Sequence, residues 1–440
     1  MKRRLAAVGA VLALSSLLAA CSGGGASTTT GSASEPTNGA GPVEVTVWSW
    51  VADLQKEADV YNQTHPDVKV KVVNAGNDTA HFEKVRNAIT SGSGIPDAFF
   101  NGPGLIPSFA AQGQIQDLNQ FGADKYEGDQ TDAAWAGMSY NGKVYGTPAG
   151  IGPIMMYYRT DIYEKYGIEV PKTWDEFRAV AEKLKAAAPD VSITNYPSDY
   201  NIFNGLVAQT GQESWGIEGE NTVVINFDDT GAAKVADYWQ SLLDKDLVST
   251  EPFLTPEYNQ AFSQGKVATL IGGSWLPLVM KPNAGASEGK WAVAPIPQWK
   301  AGENKTGDAG LAGYSIPKGA PHAQEAADFL FWLTNSEESV KMLADVQSQT
   351  PSYLPVLTSE EYLSVKDPFF GGQEARRVVA DAAQGAVPQA ATPVHDYALP
   401  QLAEALGQVV TGEITTQEAV TKVQQAATKF AEEQGYTVKK

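Results

Sequence analysis

From Val43 onward the chain switches between two periodicities. Val43, Val45 and Val47 are separated by Glu44 and Thr46, a period of two that predicts a short strand running into Trp48. Leu54, Ala58 and Tyr61 follow at helical spacing, and residues 68–73 read as a second strand. Phe82, Val85, Ala88 and Ile89 share one helical face, and residues 95–100 predict a third strand. Asn141-Gly142 between two extended arms predicts a hairpin, after which residues 154–158 form an apolar strand. The grammar returns later, with strands expected at 222–227, 267–271 and 291–294 and helices at 232–243, 323–333 and 339–346. Thr173-x-x-Glu176 and Thr415-x-x-Glu418 are capping boxes, so helices start at both, and Gly435 suits the stop of the last one. Strands alternating with helices predict an α/β fold with a largely parallel sheet.

The first 42 residues follow neither period. Lys2, Arg3 and Arg4 precede an apolar run over 5–20 that is too short to span a bilayer. A basic head, an apolar centre and small residues at the exit describe a secretory signal peptide over 1–20. Leu18-Ala19-Ala20-Cys21 resembles a bacterial lipobox. That resemblance implies cleavage before Cys21, lipidation of its thiol and anchoring at the extracellular face of the cell membrane. Cys21 is the only cysteine, so no disulfide can form within the chain. Residues 21–42 are mostly Gly, Ser, Thr and Ala and predict a flexible tether whose ends lie roughly 25 Å apart.

Charge narrows the list of partners. The formal charge is −19, and removing the signal peptide leaves 29 basic against 51 acidic residues. Such a surface repels nucleic acid and favours neutral or cationic ligands. Aromatic residues make up 10% of the chain and include 10 Trp. Flat aromatic faces at strand ends can stack on the C–H faces of sugar rings while carboxylates and amides bond the hydroxyls.

Several segments, in this order, resemble the extracellular solute-binding proteins of sugar ABC importers, the maltose-binding-protein-like group. They are Trp48-Ser49-Trp50, Ile95-Pro96-Asp97-Ala98-Phe99-Phe100, Asn141-Gly142-Lys143-Val144-Tyr145-Gly146-Thr147-Pro148, Tyr157-Tyr158-Arg159-Thr160-Asp161 and Pro171-Lys172-Thr173-Trp174-Asp175-Glu176-Phe177. Residues 268–275 and the helix pair over 327–346 fit as well. The resemblance implies two α/β lobes with a ligand cleft between them and chain crossings near 148–153, 309–313 and 349–352. One lobe would take 43–150 and 311–349, the other 151–310 and 350–440. The implied function is capture of a sugar, of oligosaccharide size, and its delivery to the permease subunits of an ABC importer. A monomer without cofactor or metal is expected.

Strands of a parallel sheet present ligands at their carboxyl ends, which points to Trp48, Trp50, Asn101 and Trp275. Trp275 matches the position that stacks on a sugar in the resembled family. Asp53 follows the first strand, where that family places a polar contact. Asp199 and Tyr200 resemble its acidic–aromatic pair, with helix capping as the other role open to Asp199. His395, Asp396 and Tyr397 precede the last helices and offer a polar and aromatic group. Two alternatives stay open. A secreted carbohydrate-active enzyme would need a pair of carboxylates about 5–9.5 Å apart. A ferric-iron receptor would use Tyr157 and Tyr158, although alternation sends one ring to the core and the other out, and the four His are scattered.

Overall fold

The computed structural model describes residues 41–219, 221–229 and 231–440. The expected signal peptide, Cys21 and the tether up to residue 40 lie outside the described residues. Two bodies, each with its own sheet and core, make up the rest. The first sheet runs Val68–Val73, Val43–Trp48, Ala98–Asn101, Ala312–Ser315, Thr147–Gly150. Its first three strands are parallel, and the last two join antiparallel. The second sheet pairs Ile154–Arg159 antiparallel with Thr269–Gly273 on one side and Trp291–Pro295 on the other. The expected largely parallel sheet is met in the first body, where four of five strands run the same way, and is corrected in the second, whose sheet is antiparallel. Apolar runs buried on both faces read alike in either direction, and only the connections decide the pairing.

Most elements stand where the periodicity puts them. Val45 and Val47 are buried, while Glu44 faces outward. Asn141 and Gly142 both take positive φ, the turn that two-residue hairpins require, between Ser139–Tyr140 and Lys143–Val144. Both capping boxes form, at Thr173 and at Thr415. The third strand begins at Ala98, three residues later than expected, because Asp97 turns its carboxylate back to accept the Thr46 and His322 N–H groups. Trp174, Phe177, Trp239, Val420 and Val423 bury together in the second core, while Phe329, Leu330 and Leu333 close the first.

Crossing segments that lie side by side connect the bodies. The chain leaves the first sheet after Gly150 and enters the second at Ile154; it returns between Pro295 and Ala312. Ile151 N–H bonds Thr350 O at 2.9 Å, and Ala309 N–H bonds Gly152 O at 2.9 Å. Asp308 accepts N–H groups from Gly152, Gly310 and Leu311. Gly152 and Gly310 pass so closely that a Cβ on Gly152 would lie 2.6 Å from the Gly310 Cα. No side chain fits there, which explains glycine at both places.

Tyr157 is buried and its hydroxyl donates to Gly273 O at 3.3 Å. Tyr158 is half-buried against the opposite core, 4.9 Å from the Tyr163 ring. Neither ring points freely outward as expected, because helices cover both faces of that strand. Among the described residues no group of three or more His, Cys, Asp or Glu gathers to hold a metal ion.

Candidate functional site

A cleft of about 890 Å³ lies between the two bodies. That volume falls within the usual range of small-molecule sites. One wall comes from the first body: Trp50, the helix Asp78–Ser91 through Phe82 and Arg86, and the loop Gly102–Leu105. The facing wall carries Tyr200, Asn204, Trp215, His395 and Asp396. The crossing segment Asp308–Ala312 adds backbone and the Asp308 carboxylate.

Trp50 is held by three rings. Its indole meets His81 edge-on at 4.8 Å, Phe82 at 5.7 Å and Phe100 at 4.3 Å. Such edge contacts fix a ring while leaving part of it free to face a ligand. His81 is fully buried behind it and bonds Phe100 O at 3.2 Å through Nε2. The carbonyl only accepts, so the proton sits on Nε2. Burial lowers the His81 pKa to about 4, so the ring is neutral at physiological pH.

The opposite wall repeats this construction. Trp215 is 7% exposed and packs 4.5 Å from the His395 ring. Its indole nitrogen is itself buried and has no hydrogen-bond partner among the described residues. His395 Nδ1 accepts the Thr392 N–H at 2.8 Å, which places the ring proton on Nε2. Burial pushes this pKa down to about 4 as well. Each cleft tryptophan is thus backed by a buried neutral histidine.

Of the ten residues expected at the site, Trp50, Tyr200, His395 and Asp396 line the cleft. The other six do not, each for a local reason. Trp48 is a strand residue packed into the Phe99–Phe109 cluster. Asp53 sits on the surface with a positive φ and pairs with Lys56 at 3.0 Å. Asn101 is fully buried, donating to Ser315 Oγ at 3.1 Å and accepting Gly102 N–H at 2.9 Å, so its amide ties the end of the central strand to its neighbour. Asp199 caps the helix Tyr200–Gln209, accepting the Asn201 and Ile202 N–H groups at 3.0 Å. Trp275 donates to Ala309 O at 2.8 Å and lies over Gly310, where a Cβ would be 2.6 Å from its ring, so it clamps a crossing. Tyr397 stacks on Phe430 at 4.3 Å and joins two helices. His395, Asp396 and Tyr397 form the first turn of the helix His395–Val410 and do not precede it.

Sequence reasoning passed over Phe82, Arg86, Asn204, Trp215 and Asp308. Phe82 carried a core signal by its helical spacing. Trp215 had one usable signal, a tryptophan beside Gln212, Glu213 and Ser214 in a polar segment.

The model of the bacterial extracellular solute-binding protein family matches residues 48–339. The lactose-binding protein of Rhizobium radiobacter is 26% identical over 364 residues, 77% of this chain and 81% of that one. The galacto-N-biose-/lacto-N-biose I-binding protein of the ABC transporter from Bifidobacterium longum, solved with lacto-N-biose, superposes with a TM-score of 0.80. It is 26% identical and covers 92% of this chain and 100% of that one. The ABC-transporter-associated binding protein of B. animalis subsp. lactis Bl-04, solved with β-1,6-galactobiose, gives a TM-score of 0.77 at 26% identity, covering 91% and 100%. All three are named as binding proteins. A two-body fold with side-by-side crossings, a cleft walled by both bodies and a family match over most of the described chain lead to one assignment: the chain belongs to the bacterial extracellular solute-binding protein family.

Proposed function

We propose that this protein binds a neutral oligosaccharide in the cleft and delivers it to the permease of an ABC importer. One observation carries the reading: tryptophans on facing walls, with amide, carboxylate and N–H groups between them. Indole faces suit the C–H faces of pyranose rings, and the Asn204 amide and the Glu213 carboxylate suit their hydroxyls. Relatives named for lactose, lacto-N-biose and galactobiose point the same way. The lining carries Glu83, Glu213, Asp308 and Asp396 against the single cation Arg86, a balance that disfavours acidic sugars.

Binding proceeds without chemistry in this reading. A glycosidase needs one carboxylate free to protonate a leaving group and another free to attack or activate water. Burial raises the Asp308 pKa, but three backbone N–H groups hold its oxygens and oppose the shift. Asp396 is tied to Arg86 and Ser108. These two of the four cleft carboxylates are committed to holding structure. The mature chain is read as a monomer, lipidated at Cys21 and tethered by residues 21–42 outside the cell membrane. Its lobes are assigned to 43–150 with 311–349 and to 151–310 with 350–440, in keeping with the membership of the two sheets.

The test is thermal unfolding of the secreted chain with lactose, lacto-N-biose, β-1,6-galactobiose and arabinooligosaccharides. A ligand at a hundred times its Kd stabilises the fold by about 2.7 kcal/mol, a shift of several degrees. An unchanged melting temperature across a broad neutral-sugar panel overturns the reading.

A further inference from the structure

The two bodies touch at one end of the cleft through charge. Arg86, on the helix Asp78–Ser91 of the first body, pairs with Asp396 in the first turn of the helix His395–Val410, which packs into the second core. The partners are 310 residues apart in sequence. Everything else that holds Arg86 belongs to the first body. Its Nη1 donates to Gln114 Oε1 at 2.8 Å, its Nη2 to Ser108 Oγ at 2.9 Å, and its guanidinium lies 3.9 Å above the Phe109 ring. The Ser108 hydroxyl donates onward to the same Asp396 oxygen at 2.7 Å. Gln114, Ser108 and Phe109 thus hold Arg86 from within the first body, which limits the side-chain entropy the pair costs. Beside the pair the backbones come close, since a Cβ on Gly104 would lie 3.0 Å from Leu399 Cδ1. The Arg86 and Asp396 side chains keep 23% and 34% of their exposure, so water is thinned around them but not excluded.

We propose that Arg86 and Asp396 form a cross-cleft latch: Asp396 docks into an Arg86–Ser108 socket and holds the two lobes together at that end without ligand. The latch sets the ratio of closed to open molecules. It thereby sets affinity, because a ligand that needs contacts from both walls binds the closed form. It depends on the two-body cleft and not on which sugar enters it.

Small-angle X-ray scattering of the ligand-free protein tests this apart from any sugar. Asp396→Asn keeps the shape and removes the charge. Arg86→Met empties the socket. Each should raise the open-to-closed ratio roughly fivefold and so enlarge the radius of gyration, as expected for a partly buried pair. The double variant should open no further than the larger single effect, since both remove one interaction. High salt should move the unmutated protein the same way by screening. Melting curves report folding, which a merely structural role would change without changing shape. Should Arg86→Met fail to fold, Asp396→Asn and the salt series decide alone. Scattering that is the same for folded Asp396→Asn and unmutated protein, at low and high salt, overturns the latch.

Discussion

The cleft tryptophans share a device at the scale of single residues. Trp50 rests on His81 and Trp215 on His395, and both histidines are buried and neutral. The arrangement has a pH signature. The unfolded chain takes up protons on these rings as pH falls through about 6.5, whereas the folded chain waits until about 4. Stability is therefore lost as pH falls across that window, by up to about 3 kcal/mol per histidine. Glu57, fully buried with one bond from Gln347, works in the opposite sense, because burial raises its pKa and acid favours its folded, protonated form. Melting temperatures near neutrality and near pH 5 should fall in the native protein and fall less in His81→Gln with His395→Gln; equal slopes refute the assignment. On the ligand side, Trp50→Ala should cost about 2 kcal/mol of sugar binding, roughly thirtyfold in Kd by calorimetry. Trp48→Ala should lower stability and leave Kd nearly unchanged, since its ring faces the Phe99–Phe109 cluster.

Elements place these residues by means that differ in how local they are. The Thr173 capping box is local: Thr173 Oγ1 accepts Glu176 N–H at 3.2 Å, and Thr173→Ala should cost about 1 kcal/mol in chemical denaturation. The crossings are not local. Gly310 matters because Trp275 and Gly152 press on it from two other segments. Gly310→Ala should cost about 1–3 kcal/mol as an overpacked contact and shift the scattering profile, whereas Gly407→Ala, with open space around it, should leave the profile alone. Periods, caps and the Asn141-Gly142 turn were legible because each is satisfied within a few residues. The antiparallel pairing around Ile154–Arg159 was not, since strand direction is set by partners about 110 to 140 residues away in sequence.

For the whole molecule, function rests on two bodies that meet around a cleft and touch at Arg86–Asp396. Gly104 gives a direct handle on that meeting. Gly104→Leu would wedge its side chain against Leu399 at the latch end of the cleft. It should keep the molecule more open by scattering and weaken sugar affinity about tenfold without lowering the melting temperature; unchanged scattering with unchanged affinity counts against closure as the basis of binding. The acidic surface adds a broader bias against polyanions and acidic sugars at the scale of the molecule as well as in the cleft.

Taken alone, the amino-acid sequence determined the alternation of strands and helices, the two capping boxes and the family resemblance, because those depend on neighbours along the chain. It also placed Trp50, Tyr200, His395 and Asp396 among the candidates, each beside an element end. Only the tertiary structure decided which tryptophan faces the cleft. Trp48, Trp50, Trp215 and Trp275 are chemically alike, and their roles follow from what packs behind each: a phenylalanine cluster, His81, His395 and a glycine crossing. The pairing of Arg86 with Asp396 is of the same kind. Two charges on different bodies become partners only when folding brings helices from opposite ends of the chain to one edge of a cleft.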